Sequence, residues 1–146
     1  MQARFSRRYL VTSLIVIAVF FTLGRLTHAP TIRTVHLGSK FYKLQVASTV
    51  ADKQKGLGGR SDLSPNRGME FPYGKTTELC FWMKDTLIPL DMIWLDSHRQ
   101  VVEIKTDVQP QSYPKSYCAQ AQYVVELHAG QVAQAGIHIG ETAYGL

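Results

Sequence analysis

Acidic residues are few in this 146-residue chain, cysteines fewer, and a long apolar run occurs only once, at the N-terminus. There is no Gly-x-Ser-x-Gly elbow and no His-Glu-x-x-His helix, and neither cysteine stands in a nucleophile setting, so the common hydrolase and zinc-protease signatures are unmet. Gly56-Leu57-Gly58-Gly59-Arg60 is glycine-rich, but no helical pattern succeeds it at the spacing of a phosphate loop. It reads as a helix stop and then turns. Internal repeats and low-complexity segments are also missing, which excludes a solenoid.

The apolar run extends from Tyr9 to Gly24 without a charge, behind Arg4, Arg7 and Arg8 and ahead of Arg25. Such a segment is a signal sequence or a membrane anchor. Thr27-His28-Ala29 is a passable small-x-small cleavage site, but Pro30 directly after it disfavours processing, so an uncleaved anchor through residues 9–25 is the favoured reading. The arginine cluster precedes the run and places the remainder of the chain outside the cytoplasm, facing the periplasm or cell exterior. The expected division is residues 1–26 as anchor or signal and 27–146 as an extracytoplasmic domain. Four of the 16 basic residues flank the apolar run, which leaves 12 against 11 acidic residues in the domain. The excess of positive charge therefore reports membrane topology, and no nucleic-acid partner is expected.

The domain centres on Leu79 to Asp96. Two apolar runs, Leu79 to Met83 and Leu87 to Leu95, flank a polar corner at Lys84, Asp85 and Thr86. Both are rich in aromatic and β-branched residues and too short for ordinary helices, so they read as strands. Thr34 to Leu37, Phe41 to Ala47, Met69 to Phe71, Val101 to Ile104, Tyr123 to Leu127 and Thr142 to Tyr144 add further short strands. Pro72-Tyr73-Gly74 reads as a turn and Gln109 to Gln122 as a long loop. A short helix capped by Ser48 or Thr49 ends at Gly56, and a second spans Gln131 to Ala135 before Gly136. The expected fold is mainly β (α+β), a small rolled sheet or barrel-like domain of about seven short strands and two short helices. Cys80 and Cys118 are either a disulfide, permitted outside the cytoplasm, or two buried thiols.

Gly56-Leu57-Gly58-Gly59-Arg60, Arg67-Gly68-Met69-Glu70-Phe71, Trp82 to Asp91, Val125-Glu126-Leu127 with Ala129-Gly130, and Gly136 to Glu141 resemble, in that order, the family called domain of unknown function 192. The resemblance covers about residues 42–146. It implies a small β-rich domain and brings no activity, cofactor or metal. The chain departs from the usual pattern at Gly58, Glu70, Asp85 and Glu141, where the family commonly has methionine, leucine, asparagine and aspartate.

The polar residues within these motifs are Arg60, Arg67, Trp82, Lys84, Asp85, Thr86, Asp91 and Glu126. They read either as one ligand cleft, with arginines orienting an anionic or hydroxyl-bearing ligand and Trp82 stacking on it, or as a buried polar network such as Arg60 paired to Asp91 or Glu126. Asp91 in an otherwise apolar strand must be paired or hydrogen-bonded. A hydrolase-like enzyme would use Asp91 and Glu126 as acid and base, and a metal site would add His128, though no metal or cofactor is expected. A protein–protein interaction module of the envelope would expose Tyr113, Tyr117 and Trp94. The favoured expectation is a non-catalytic binding module for a small or polymeric envelope ligand. Its address is testable: an alkaline phosphatase fused after Leu146 should be active and a fused cytoplasmic fluorophore dark, and the reverse pattern would overturn the topology.

Overall fold

A computed structural model describes residues 29–146. The expected anchor lies outside the described residues, among which no helix is long and apolar enough to cross a membrane. Six strands, β1 (Ile32–Leu37), β2 (Lys40–Val46), β3 (Arg67–Phe81), β4 (Leu90–Leu95), β5 (Val101–Val108) and β6 (Tyr117–His128), form one sheet in the order β1-β2-β3-β6-β4-β5. Neighbours are antiparallel except β2 and β3, which run parallel. Two short helices, α1 (Val50–Lys55) and α2 (Gln131–Ala135), complete the domain. The expected mainly β class with two helices is present, but the sheet is open and no barrel closes. The segment expected as a closing strand, Thr142 to Tyr144, makes only isolated bridges, His36 to Tyr144 and Gln100 to Thr142.

The helices form where local chemistry specifies them. Thr49 accepts the Asp52 N–H on its hydroxyl while Asp52 accepts the Thr49 N–H, a capping box that starts α1. The α2 helix is closed by left-handed Gly136, the conformation at which glycine carries no steric penalty. Between β4 and β5, Asp96 Oδ1 accepts the backbone N–H groups of His98 and Gln100 and fixes a tight turn.

Both sheet faces are buried. The back face packs Leu44, Ile93, Leu95, Val125 and Leu127 against Val132 and Ala135 of α2 and against Ile137 and Ala143. The front face packs Met69, Phe71, Met92, Trp94 and Val124 against Leu57, Leu63, Met83 and Ile88 from the loops. Every residue of β4 is buried, which is why its sequence is a continuous apolar run with little alternation.

The expected turn at Pro72-Tyr73-Gly74 is instead a bulge inside one long strand. Between Pro72 and Thr77 β3 advances five positions while β6 moves two, from Tyr123 to Ala121. Proline tolerates a bulge, where no ladder hydrogen bond is demanded of it. The bulge lets the outer half of the β3–β6 ribbon fold over the front face, where the buried Trp94 Nε1–H donates to the Leu79 carbonyl at 2.9 Å. The long loop expected through Gln122 is correspondingly shorter, because β6 begins at Tyr117.

Cys80 and Cys118 lie opposite each other on the outer ribbon and are joined by a disulfide, with Cα atoms 4.1 Å apart. The bridge closes a sequence separation of 38 residues, which corresponds to at most about 4 kcal/mol of loop entropy removed from the unfolded chain. Reduction should therefore lower the midpoint of chemical unfolding, through a stability loss of a few kcal/mol, read by urea titration with and without dithiothreitol. An unchanged midpoint would show that the ribbon does not need the bridge.

Candidate functional site

Where the ribbon folds over the front face it leaves a cleft of about 380 Å³ against α1, within the size range of small-molecule sites. The strands contribute Phe71, Tyr73, Cys80, Phe81 and Glu126, the corner contributes Trp82, Lys84 and Thr86, and α1 contributes Val50, Lys53, Gln54 and Lys55. Gly56 and Leu57 complete the lining. Phe71 and Phe81 pack edge to face with centroids 4.8 Å apart, and Lys53 Nζ sits 4.2 Å from the centre of the Tyr73 ring. Trp82 and Val50, 48% and 73% exposed, are large apolar groups left in water at the mouth.

Glu126 is the anomaly of the cleft. The residue is 4% exposed, and its carboxyl has no hydrogen-bond partner among the described residues; its oxygens are not among the unpartnered side-chain atoms sealed from solvent, so they face the cleft. Burial alone, with no compensating charge, pushes it up from 4.5 to about 8. The Tyr73 hydroxyl is also raised, by burial first and then by the negative charge of Glu126. Gly56 (φ 50°) stands over this carboxyl, and a Cβ there would lie 3.8 Å from Glu126 Oε2 and 3.5 Å from Phe71. Glycine suits both the backbone conformation and the need to leave this space open.

The expected pairing of Asp91 with Glu126 does not occur. Asp91 is opposite Leu127 and Glu126 opposite Met92, so the two carboxylates project from opposite faces of the sheet. Asp91 faces the back, where Oδ1 accepts the Asp107 N–H at 2.9 Å and Oδ2 the Val132 N–H at 2.8 Å. It ties α2 to the sheet and is structural. The same separation removes Asp91 as a third metal ligand beside Glu126 and His128, and with it the two-carboxylate hydrolase.

The remaining expected residues divide. Trp82, Lys84, Thr86 and Glu126 share the cleft. Arg60 donates to the Gln45 side chain at 2.5 Å, rather than to Asp91 or Glu126, and neither it nor Arg67 at the exposed start of β3 lines the cleft. Asp85, at φ 56°, supports the cleft from behind, since its carbonyl accepts the Gly59 N–H at 2.8 Å. Aspartate and asparagine are among the residues that tolerate this conformation. Trp94, expected in an exposed aromatic patch, is fully buried, and Tyr117 packs against the front core, so Tyr113 alone of the three is exposed.

The α1 residues and the ring wall were not expected from the sequence. Val50, Lys53 and Gln54 recur at helical spacing on one face of α1, a signal present in the sequence but too short to weigh. Glu70 was equally unexpected: its Oε1 accepts from Arg33 at 2.6 Å on the back face while Oε2 has no partner. Burial raises the Glu70 carboxyl, and Arg33 offsets part of that effect.

Because the folded carboxyl of Glu126 binds its proton more tightly than the unfolded one, it leaves stability intact below pH 4.5, erodes it progressively up to about pH 8 and holds the loss constant above. The loss has an upper limit of about 5 kcal/mol. Glu126→Gln should thus gain stability relative to the parent as pH rises, by a few kcal/mol between pH 5 and pH 9 in urea unfolding. A difference that does not vary with pH would show that the carboxyl is not held neutral.

No curated protein matches the sequence. Among solved structures, a crystal structure from Sinorhizobium meliloti 1021, described as a candidate transcription regulator, is 26% identical with a TM-score of 0.77, covering 81% of this chain and 96% of that one. A protein of unknown function from Novosphingobium aromaticivorans DSM 12444 is 28% identical with a TM-score of 0.69, over 80% of this chain and 93% of that one. Residues 32–143 match the family described as an uncharacterized ACR, and the chain therefore belongs to domain of unknown function 192 (DUF192).

Proposed function

We propose that this domain is a non-catalytic binding module, held at the outer face of the membrane by residues 9–25, which takes a small envelope molecule or the end of an envelope polymer into the cleft floored by Glu126. The observation that carries the reading is Glu126, a glutamate 4% exposed whose carboxyl has no protein partner and faces an open ring-lined cleft. An unpartnered buried polar group costs stability, and a ligand that hydrogen-bonds it recovers that loss on binding. The exposed Trp82 at the mouth offers a stacking face. Binding is favoured over catalysis because neither other buried carboxylate reaches the cleft: Asp91 accepts from backbone N–H groups behind the sheet, and Glu70 pairs with Arg33 on that same back face.

Thermal shift of the full chain in a non-ionic detergent, against sugars, peptidoglycan fragments, organic acids and short peptides, tests the proposal. A ligand at 100 times its dissociation constant should add about 2.7 kcal/mol, and Trp82→Ala and Glu126→Gln should each weaken that ligand roughly tenfold while still folding. A flat screen, or hits indifferent to both substitutions, would overturn the reading.

A further inference from the structure

The mouth of the cleft carries charge of one sign. Lys53 and Lys55 of α1 and Lys84 of the corner line it, and the only acidic residue in the lining is Glu126 at the floor. Of the acids nearest in sequence, Asp52 offsets part of the Lys55 charge, but neither it nor Asp85 lines the opening. The Asp52 carboxylate is engaged by the Thr49 hydroxyl and backbone N–H. Elsewhere the domain is nearly balanced, so three lysines around one opening create a local positive field in a concave site with ring-lined walls, the arrangement that concentrates anions.

The floor differs from the mouth. With its carboxyl pushed up to about 8 by burial, Glu126 is mostly neutral at pH 7 and offsets little of the lysine charge. A neutral carboxyl offers one O–H donor and an acceptor oxygen, which suits an uncharged hydroxyl or carbonyl and repels neither. A second anionic group at that depth would be desolvated without a counter-charge, so the ligand carries its charge at one end. Tyr73, Phe81 and Trp82 supply ring surfaces between the two levels, and flat apolar bodies pack well on rings.

Resting on the cleft as the ligand site, we infer that its ligand is a small amphiphilic anion, with its acidic group at Lys53, Lys55 and Lys84, a flat apolar body against Tyr73, Phe81 and Trp82, and an uncharged oxygen at Glu126. An amine of the same shape is the informative competitor, because it would have to sit beside the lysines or ionise Glu126.

The test uses matched probes titrated into the full chain in non-ionic detergent, monitored by calorimetry and by the indole N–H resonance of Trp82. The probes are 3-(4-hydroxyphenyl)propionate, tyramine, which replaces the acid by an amine, and 3-phenylpropionate, which lacks the hydroxyl. The hydroxy acid should bind about tenfold more tightly than tyramine, a difference of about 1.4 kcal/mol. The surface variant combining Lys53→Gln, Lys55→Gln and Lys84→Gln should abolish that preference. The hydroxyl should contribute roughly threefold to tenfold, and Glu126→Leu, or Glu126→Gln should the leucine variant not fold, should change that contribution without altering the preference for the acid. Tyramine binding as tightly as the acid would overturn the anion inference while leaving the cleft as a binding site. Failure of all three probes to move the Trp82 signal would overturn both.

Discussion

The hydrogen bond from Trp94 Nε1 to the Leu79 carbonyl, made in the dry interior of the front face, is the contact on which the rest of the architecture depends. A buried indole N–H needs an acceptor, and the only way for a strand carbonyl to reach one on a neighbouring layer is for the strand to leave the plane of the sheet. The bulge between Pro72 and Thr77 provides that departure, and Phe81 goes with it, packing edge to face on both Phe71 and Trp94. The folded ribbon then forms one wall of the cleft and α1 the other. The disulfide at Cys80 and Cys118 holds the two strands of the ribbon together beyond the bend.

Two buried carboxylates in adjacent strands meet opposite fates. Asp91 is short, faces the back and lies within reach of two backbone N–H groups, so both its oxygens have hydrogen-bond partners and it joins α2 to the sheet. Glu126 is longer, faces the front and looks into a space kept open by Gly56, where the protein offers it nothing. A protein that needed only stability would place an apolar residue there, as it does at Met92 opposite. The retained carboxyl is a cost to the fold, and that cost is the physical basis for the proposal that the site takes a ligand.

Much of the local structure was legible in the residues. The caps at Thr49 and Gly136 and the corner at Lys84 and Asp85 depend on groups a few positions apart, and they appear where the sequence places them. The bent strand was not legible, because Pro72 and Gly74 have the same local chemistry in a turn as in a bulge, and only the partner strand distinguishes them. Arg60 was misread for a related reason. An arginine beside a glycine loop has several carboxylates it could meet, yet its guanidinium finds the Gln45 amide, a choice made by strand order.

The sequence by itself determined most of the segments that pair as strands, where the helices begin and end, and that Asp91 needed partners, because capping and burial patterns are set within a few residues. The tertiary structure decided which side of the sheet each carboxylate faces, since that depends on the register between β4 and β6, where a shift of one residue exchanges the faces. It also decided that lysines rather than arginines surround the cleft, because α1 and the corner are brought together by the folded ribbon and by no signal within either segment.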